Sequence, residues 1–157
     1  MNQNEASARD VAAQAAATPR GRILDARAIR DYVLGGHARF TLVGRAARYT
    51  FEVERAAQRD GDTRPPPWFV RVLVGPENTS DYAYAGMIGS RDGRYFPPKP
   101  GRGVEATAPS VEAFAWFWDR VVRGAGIEPC AFWHEGTCAR CGRALTPPES
   151  VARGIGP

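Results

Sequence analysis

The chain is expected to fold as α+β: a curved antiparallel sheet of four to five strands packed on one long helix, with a cysteine-rich C-terminal stretch. Three observations predict this. Between Phe40 and Ile88, apolar residues alternate with polar ones in several short runs, the period of two that marks half-buried strands. Phe114, Phe117, Trp118 and Val121 recur at three- and four-residue spacing, which puts them on one face of a helix. All three cysteines then fall between Cys130 and Cys141.

Length and composition bound the answer first. A chain of 157 residues predicts one main domain with enough core to fold without disulfides. The expected division is a disordered leader over residues 1–22, an α+β domain over 23–126 and a zinc-knuckle motif over 127–157. No apolar run is long enough to span a bilayer. The N-terminus lacks the basic-then-apolar pattern of a secretory signal, so a cytoplasmic location is expected. The net charge of +4 is compatible with a polyanionic partner without demonstrating one. Lys99 is the only lysine among 21 basic residues, a bias that fits a GC-rich genome better than selection for phosphate contacts.

Along the chain, Asp25 is placed to cap a short helix reaching about Leu34, and Gly35-Gly36 stops it. His37 follows in a loop, exposed or locally bonded and without a ligand role. Phe40 and Leu42, then Tyr49, Phe51 and Val53, predict two strands joined near Gly44. The run QRDGDTRPPP ending at Pro67 is a loop by composition. Trp68 to Val74 is dense in aromatic and β-branched residues and predicts a central strand. Tyr82 to Ile88 resumes the alternation, and Arg94 to Phe96 returns after the Asp92-Gly93 turn. Ser110 is expected to cap the long helix, Val111 to about Arg123, with Trp116 off its buried stripe.

The C-x-x-C pair Cys138 and Cys141 lets two thiolates grip one tetrahedral ion from a single tight turn, and Gly142 suits the backbone angles of such a turn. Zinc prefers a shell of sulfur and nitrogen. His134, four residues before Cys138, is near enough in sequence to be a third ligand. Cys130, a ligand following Pro157, or water completes the shell. Arg140 and Arg143 would offset the thiolate charge. A redox C-x-x-C wants a strand before the pair and a helix after it; Pro147-Pro148 leaves little helix. Two free thiols with no role are the remaining alternative.

The run HEGTCARCGRALTPPESVARGIGP, His134 to Pro157, resembles the C-terminal motif of the DUF6011 family, small proteins common in phages, prophages and plasmids. Trp68 to Ile88 and Ala108 to Trp118 resemble the domain that often precedes that motif in phage members. In that family a cysteine usually follows the GIGP segment. The resemblance thus implies His134, Cys138 and Cys141 as three ligands and a mobile-element context, and it supplies no established activity. Leu145 is expected to pack on the knuckle, and Gly154 to Pro157 to fold back toward it.

Three functions compete. An enzyme is not expected: Glu135 is the one carboxylate near the thiols in sequence, and no zinc-protease, deaminase, phosphate-loop or nucleophile-elbow motif occurs. Nucleic-acid binding is the leading expectation. Residues 39–74 hold seven arginines against four acids, and Trp68, Phe69, Tyr82 and Tyr84 would serve as stacking platforms where they face outward, although most are expected in the core. Its candidate contacts are Arg45, Arg48, Arg55, Arg59, Arg64, Trp116, Arg140 and Arg143. The alternative is a protein-binding modulator of a host nucleic-acid-handling or defence complex, acting in the manner of an anti-CRISPR protein, with Trp116, Trp133 and the loop Arg55 to Arg64 as its interface.

Overall fold

The computed structural model describes residues 21–156. The expected leader lies outside them up to residue 20. The elements are β1 (Arg22–Ile23), α1 (Ala26–Val33), β2 (His37–Val43), β3 (Arg48–Arg55), β4 (Trp68–Leu73), β5 (Tyr82–Ile88), β6 (Tyr95–Phe96), α2 (Pro109–Val122), β7 (Ala131–His134) and α3 (Pro148–Arg153). The strands form one seven-stranded sheet in the order β1-β7-β2-β3-β4-β5-β6, with every neighbouring pair antiparallel. The α+β class and the antiparallel sheet are borne out.

The sheet is larger than the four to five strands expected. β1 and β7 supply the difference, and two and four residues are too few to show a period of two. The segment from residue 127, expected as an appendage, gives the sheet a strand that lies between β1 and β2. α2, 14 residues long, shares its role with the eight-residue α1, where one long helix was expected.

Alternation along each strand sends successive side chains to opposite faces. One face carries Phe40, Phe51, Val53, Val70, Val72 and Phe132, all buried. α2 lays Phe114 on Phe51 (ring centroids 5.1 Å apart) and Phe117 between Phe40 and Phe132 (5.7 and 5.9 Å). α1 adds Tyr32, edge-on to Phe132 at 5.6 Å. Each such buried ring contributes about 1.5–3 kcal/mol, so this layer is the main source of stability.

Asp25 caps α1 as expected, its carboxylate accepting from the Ala28 N–H at 3.0 Å. Ser110 does not cap α2. The helix begins at Pro109, Ala108 holds the cap position without a side-chain bond, and Ser110 is buried. Proline in the first turn needs no N–H partner, so the start is set by Pro109. His37 is exposed as expected but opens β2 instead of lying in a loop. No helix among the described residues is long and apolar enough to cross a membrane.

Candidate metal centre and nucleic-acid interface

β7 brings His134 into the sheet opposite Phe40. Its ring is buried and tilts against Tyr32, with centroids 5.3 Å apart. Nδ1 accepts the Gly136 N–H at 2.9 Å. The ring proton therefore sits on Nε2, which donates to the Val151 carbonyl at 2.6 Å. Burial lowers the imidazole pKa, and the bond to Val151 opposes that shift. The ring is thus a neutral clasp joining the end of β7, the turn after it and α3.

Beyond Gly136 the chain makes a tight hairpin. Leu145 N–H donates to Gly136 O and Cys138 N–H to Arg143 O, each at 2.8 Å, around a bridge between Thr137 and Ala144. Gly142 N–H closes on Cys138 O at 2.8 Å with φ at +74°, a conformation that favours glycine. The Cys138 sulfur accepts N–H bonds from Arg140 at 3.4 Å and Gly156 at 3.3 Å. Burial acts to raise its pKa, but donors from Gly156, Arg140 and Cys141 together outweigh it and the net shift is downward. Cys138 is buried and Cys141 exposed. Leu145 and Val151 pack on Cys138, and the Ala139 N–H donates to Gly154 O at 2.9 Å. The His37 N–H donates to Ala139 O at 2.7 Å and docks the hairpin on the first residue of β2.

The structure brings together Cys138 and Cys141 but not the whole expected ligand set. His134 spends both ring nitrogens on backbone groups. Cys130 precedes the other end of β7, its sulfur 3.7 Å from where a Cβ on Gly44 would lie. Four residues of strand put it roughly 13 Å along the chain from His134. Among the described residues no group of three or more His, Cys, Asp or Glu side chains is arranged to hold a metal ion. The donors present match half of a tetrahedral shell: two thiols, one already provided with N–H partners that favour thiolate.

The expected basic contacts are divided as well. Arg45 and Arg48 sit exposed at the β2–β3 turn. Arg55 ends β3 at the opposite edge, roughly 23 Å away by strand rise, with its guanidinium 4.6 Å over the Trp68 ring. Its N–H donates to Gly36 O at 3.1 Å, so it shares the hairpin's end of the sheet with Arg140 and Arg143. Arg59 and Arg64 lie in the loop after β3, where Arg64 pairs with Asp62 at 3.3 Å. Trp116 is on α2, 40% exposed, with the Arg120 guanidinium 5.6 Å over its ring.

One face of the sheet, free of helices among the described residues, carries what the sequence left unassigned. Its side chains form rows across the strands: Arg39, Glu52, Arg71 and Tyr84 in one, His37, Glu54, Phe69, Met87 and Phe96 in the next. Glu52 is buried between Arg39 (2.8 Å) and Arg71 (3.3 Å). Phe69 lies edge-on to Tyr84, centroids 6.3 Å apart, and Arg39 lies 5.3 Å over Tyr82. Trp68 is in the core as expected, whereas Phe69, Tyr82 and Tyr84 are not. Phe69 alternates with buried Val70 and Val72 on β4, and Tyr82 and Tyr84 alternate with Ala83 and Ala85 on β5. A cavity of about 270 Å³ opens between this face and the hairpin, lined by Arg39, Glu54, Glu135, Thr137 and Cys141 among others.

The molecule is an α+β protein with a half-covered antiparallel sheet and a two-thiol hairpin docked at one end. Residues 132–157, spanning most of β7, the hairpin and α3, match the model of a family described as "Family of unknown function (DUF6011)", so the family likeness read from the sequence is borne out over that segment. No curated protein and no solved structure matches the chain.

Proposed function

We propose that this is a non-enzymatic protein that binds single-stranded nucleic acid on its helix-free sheet face, with zinc held by Cys138 and Cys141 stiffening the adjoining hairpin. The observation that carries the proposal is the cluster of Phe69, Tyr84 and Phe96, in two adjacent rows, standing out from a sheet whose other face is closed by helices. Aromatic side chains on an open sheet stack on bases of any sequence. Arg140 and Arg143 at the hairpin end supply charge for a phosphate backbone, and Arg39 and Arg71 lie in the same row as Tyr84. Zinc enters through two sulfurs only; among the described residues no third side chain stands with them to extend the shell.

Anisotropy of labelled 12-mer DNA and RNA, single- and double-stranded, tests this across a salt series. Single strands should bind most tightly and weaken as salt rises. Phe69→Ala or Tyr84→Ala should each weaken binding by roughly tenfold, since one stacked base is worth about 1–3 kcal/mol. Binding to no strand at any salt would sink the proposal. The exposed Trp116 capped by Arg120 favours a second reading, a surface for a host protein that handles nucleic acid. Retention of such a protein by wild type but not Trp116→Ala, with no oligonucleotide bound, would select it.

A further inference from the structure

We infer that His134 is a positioning residue and not a metal ligand: it clasps the Gly136 turn to α3 so that the two thiols and the returning tail meet at one point. The inference rests on the reading of Cys138 and Cys141 as a soft-metal pair, and it contradicts the three-ligand set that the family resemblance implies.

The geometry assigns every polar atom of the ring. Nδ1 has accepted the Gly136 N–H at 2.9 Å, and Nε2–H is given to Val151 O at 2.6 Å. Coordination through either nitrogen breaks one of these bonds, leaving a buried backbone group without its partner. The two bonds hold the start of the hairpin against α3. Gly154, just after α3, accepts from Ala139 next to Cys138, and Gly156 donates to the Cys138 sulfur at 3.3 Å. The histidine thus sets where the tail crosses the thiols without touching the ion. Metal ligands commonly depend on such outer groups for orientation.

His37 and His134 are the two histidines of the chain, which makes the test direct. Long-range proton–nitrogen NMR of the full chain, assigned with His37→Gln, should show His134 protonated at Nε2 and bare at Nδ1. That pattern should persist when one equivalent of zinc is added. A His134 nitrogen that moves to a metal-bound shift would overturn the inference. Cobalt(II) supplies the second readout. Cys138→Ser and Cys141→Ser should each abolish the sulfur-to-cobalt charge-transfer band. His134→Gln, whose amide can still donate to Val151, should keep the visible band positions and lose roughly 10- to 100-fold in affinity, the outer-group range. A changed band position in His134→Gln would mean that nitrogen was a donor and overturn the inference. No cobalt band in the wild type would remove the metal pair itself, and the positioning role with it, even with the tautomer as stated.

Discussion

Protonating His134 would put a second N–H where Nδ1 now accepts from Gly136, in a site with little water to solvate the charge. Burial accordingly lowers its pKa below the ordinary histidine value. A histidine whose folded pKa is depressed binds fewer protons folded than unfolded, so stability rises with pH across the window between the two values. The contribution of His134 should therefore be complete above about pH 6.5, the unfolded value, and be lost as pH falls below it through the folded value. Urea midpoints at pH 7.5 and pH 5 check this. Wild type should lose more stability over that range than His134→Gln, and equal losses would show that the ring does not titrate as its contacts require. The sequence offered His134 as a ligand because its spacing from Cys138 was visible. The Val151 carbonyl that claims Nε2 lies 17 positions away, and no local pattern announces such a partner.

At the scale of elements, the strands that sequence periodicity located are those long enough to repeat it. β2 through β5 run six to eight residues each, but the face that Phe69 and Tyr84 occupy was missed, because the register shifts between Phe69 and Arg71 and puts Tyr84 on the face opposite to buried Ile88. β1 and β7 were missed because a two- or four-residue strand pairs through its backbone without displaying a period. The same shortness hid the position of Cys130, which only the register of β7 against β2 fixes at the Gly44 end. Cross-strand ladders were equally illegible, since Arg39, Glu52 and Arg71 become neighbours only once the register is set. Glu52 is the link between the two arginines, its side chain 10% exposed against 28% and 42% for theirs. Glu52→Gln keeps the shape and removes the charge. A fully buried pair would lose about 3–5 kcal/mol, but solvent screens the exposed guanidiniums, so a loss of about 1–2 kcal/mol is expected in urea unfolding. Removing the charge also leaves Arg39 and Arg71 with only their longer contacts to Glu135 and Glu54, each at 3.7 Å, so oligonucleotide affinity should rise in the same variant. Unchanged stability and unchanged affinity together would show the ladder to be incidental.

At the scale of the molecule, the sheet order ties the two ends of the described chain together. β7, the last strand in sequence, lies between β1 and β2, and its Phe132 stacks on Phe40 at 4.6 Å and on Phe117 at 5.9 Å. The core beneath α2 is therefore unfinished until residues 131–134 arrive, and the thiol hairpin that follows is anchored in that core. A separate appendage would open on its own, whereas an internal strand opens only when the sheet does. Amide exchange separates the two cases. Amides of β7 that bond to β2 should show the same opening free energy as those of β3, and Phe132→Ala should lower both in parallel by about 3–5 kcal/mol. Amides of β7 that exchange through a lower-energy opening, with β3 unmoved by Phe132→Ala, would mean that the hairpin and its thiols detach while the sheet stays folded. The nucleic-acid face and the metal pair would then be energetically independent. With β7 internal they are coupled, and loss of the thiol hairpin's anchor should weaken the stacking face that β4, β5 and β6 present.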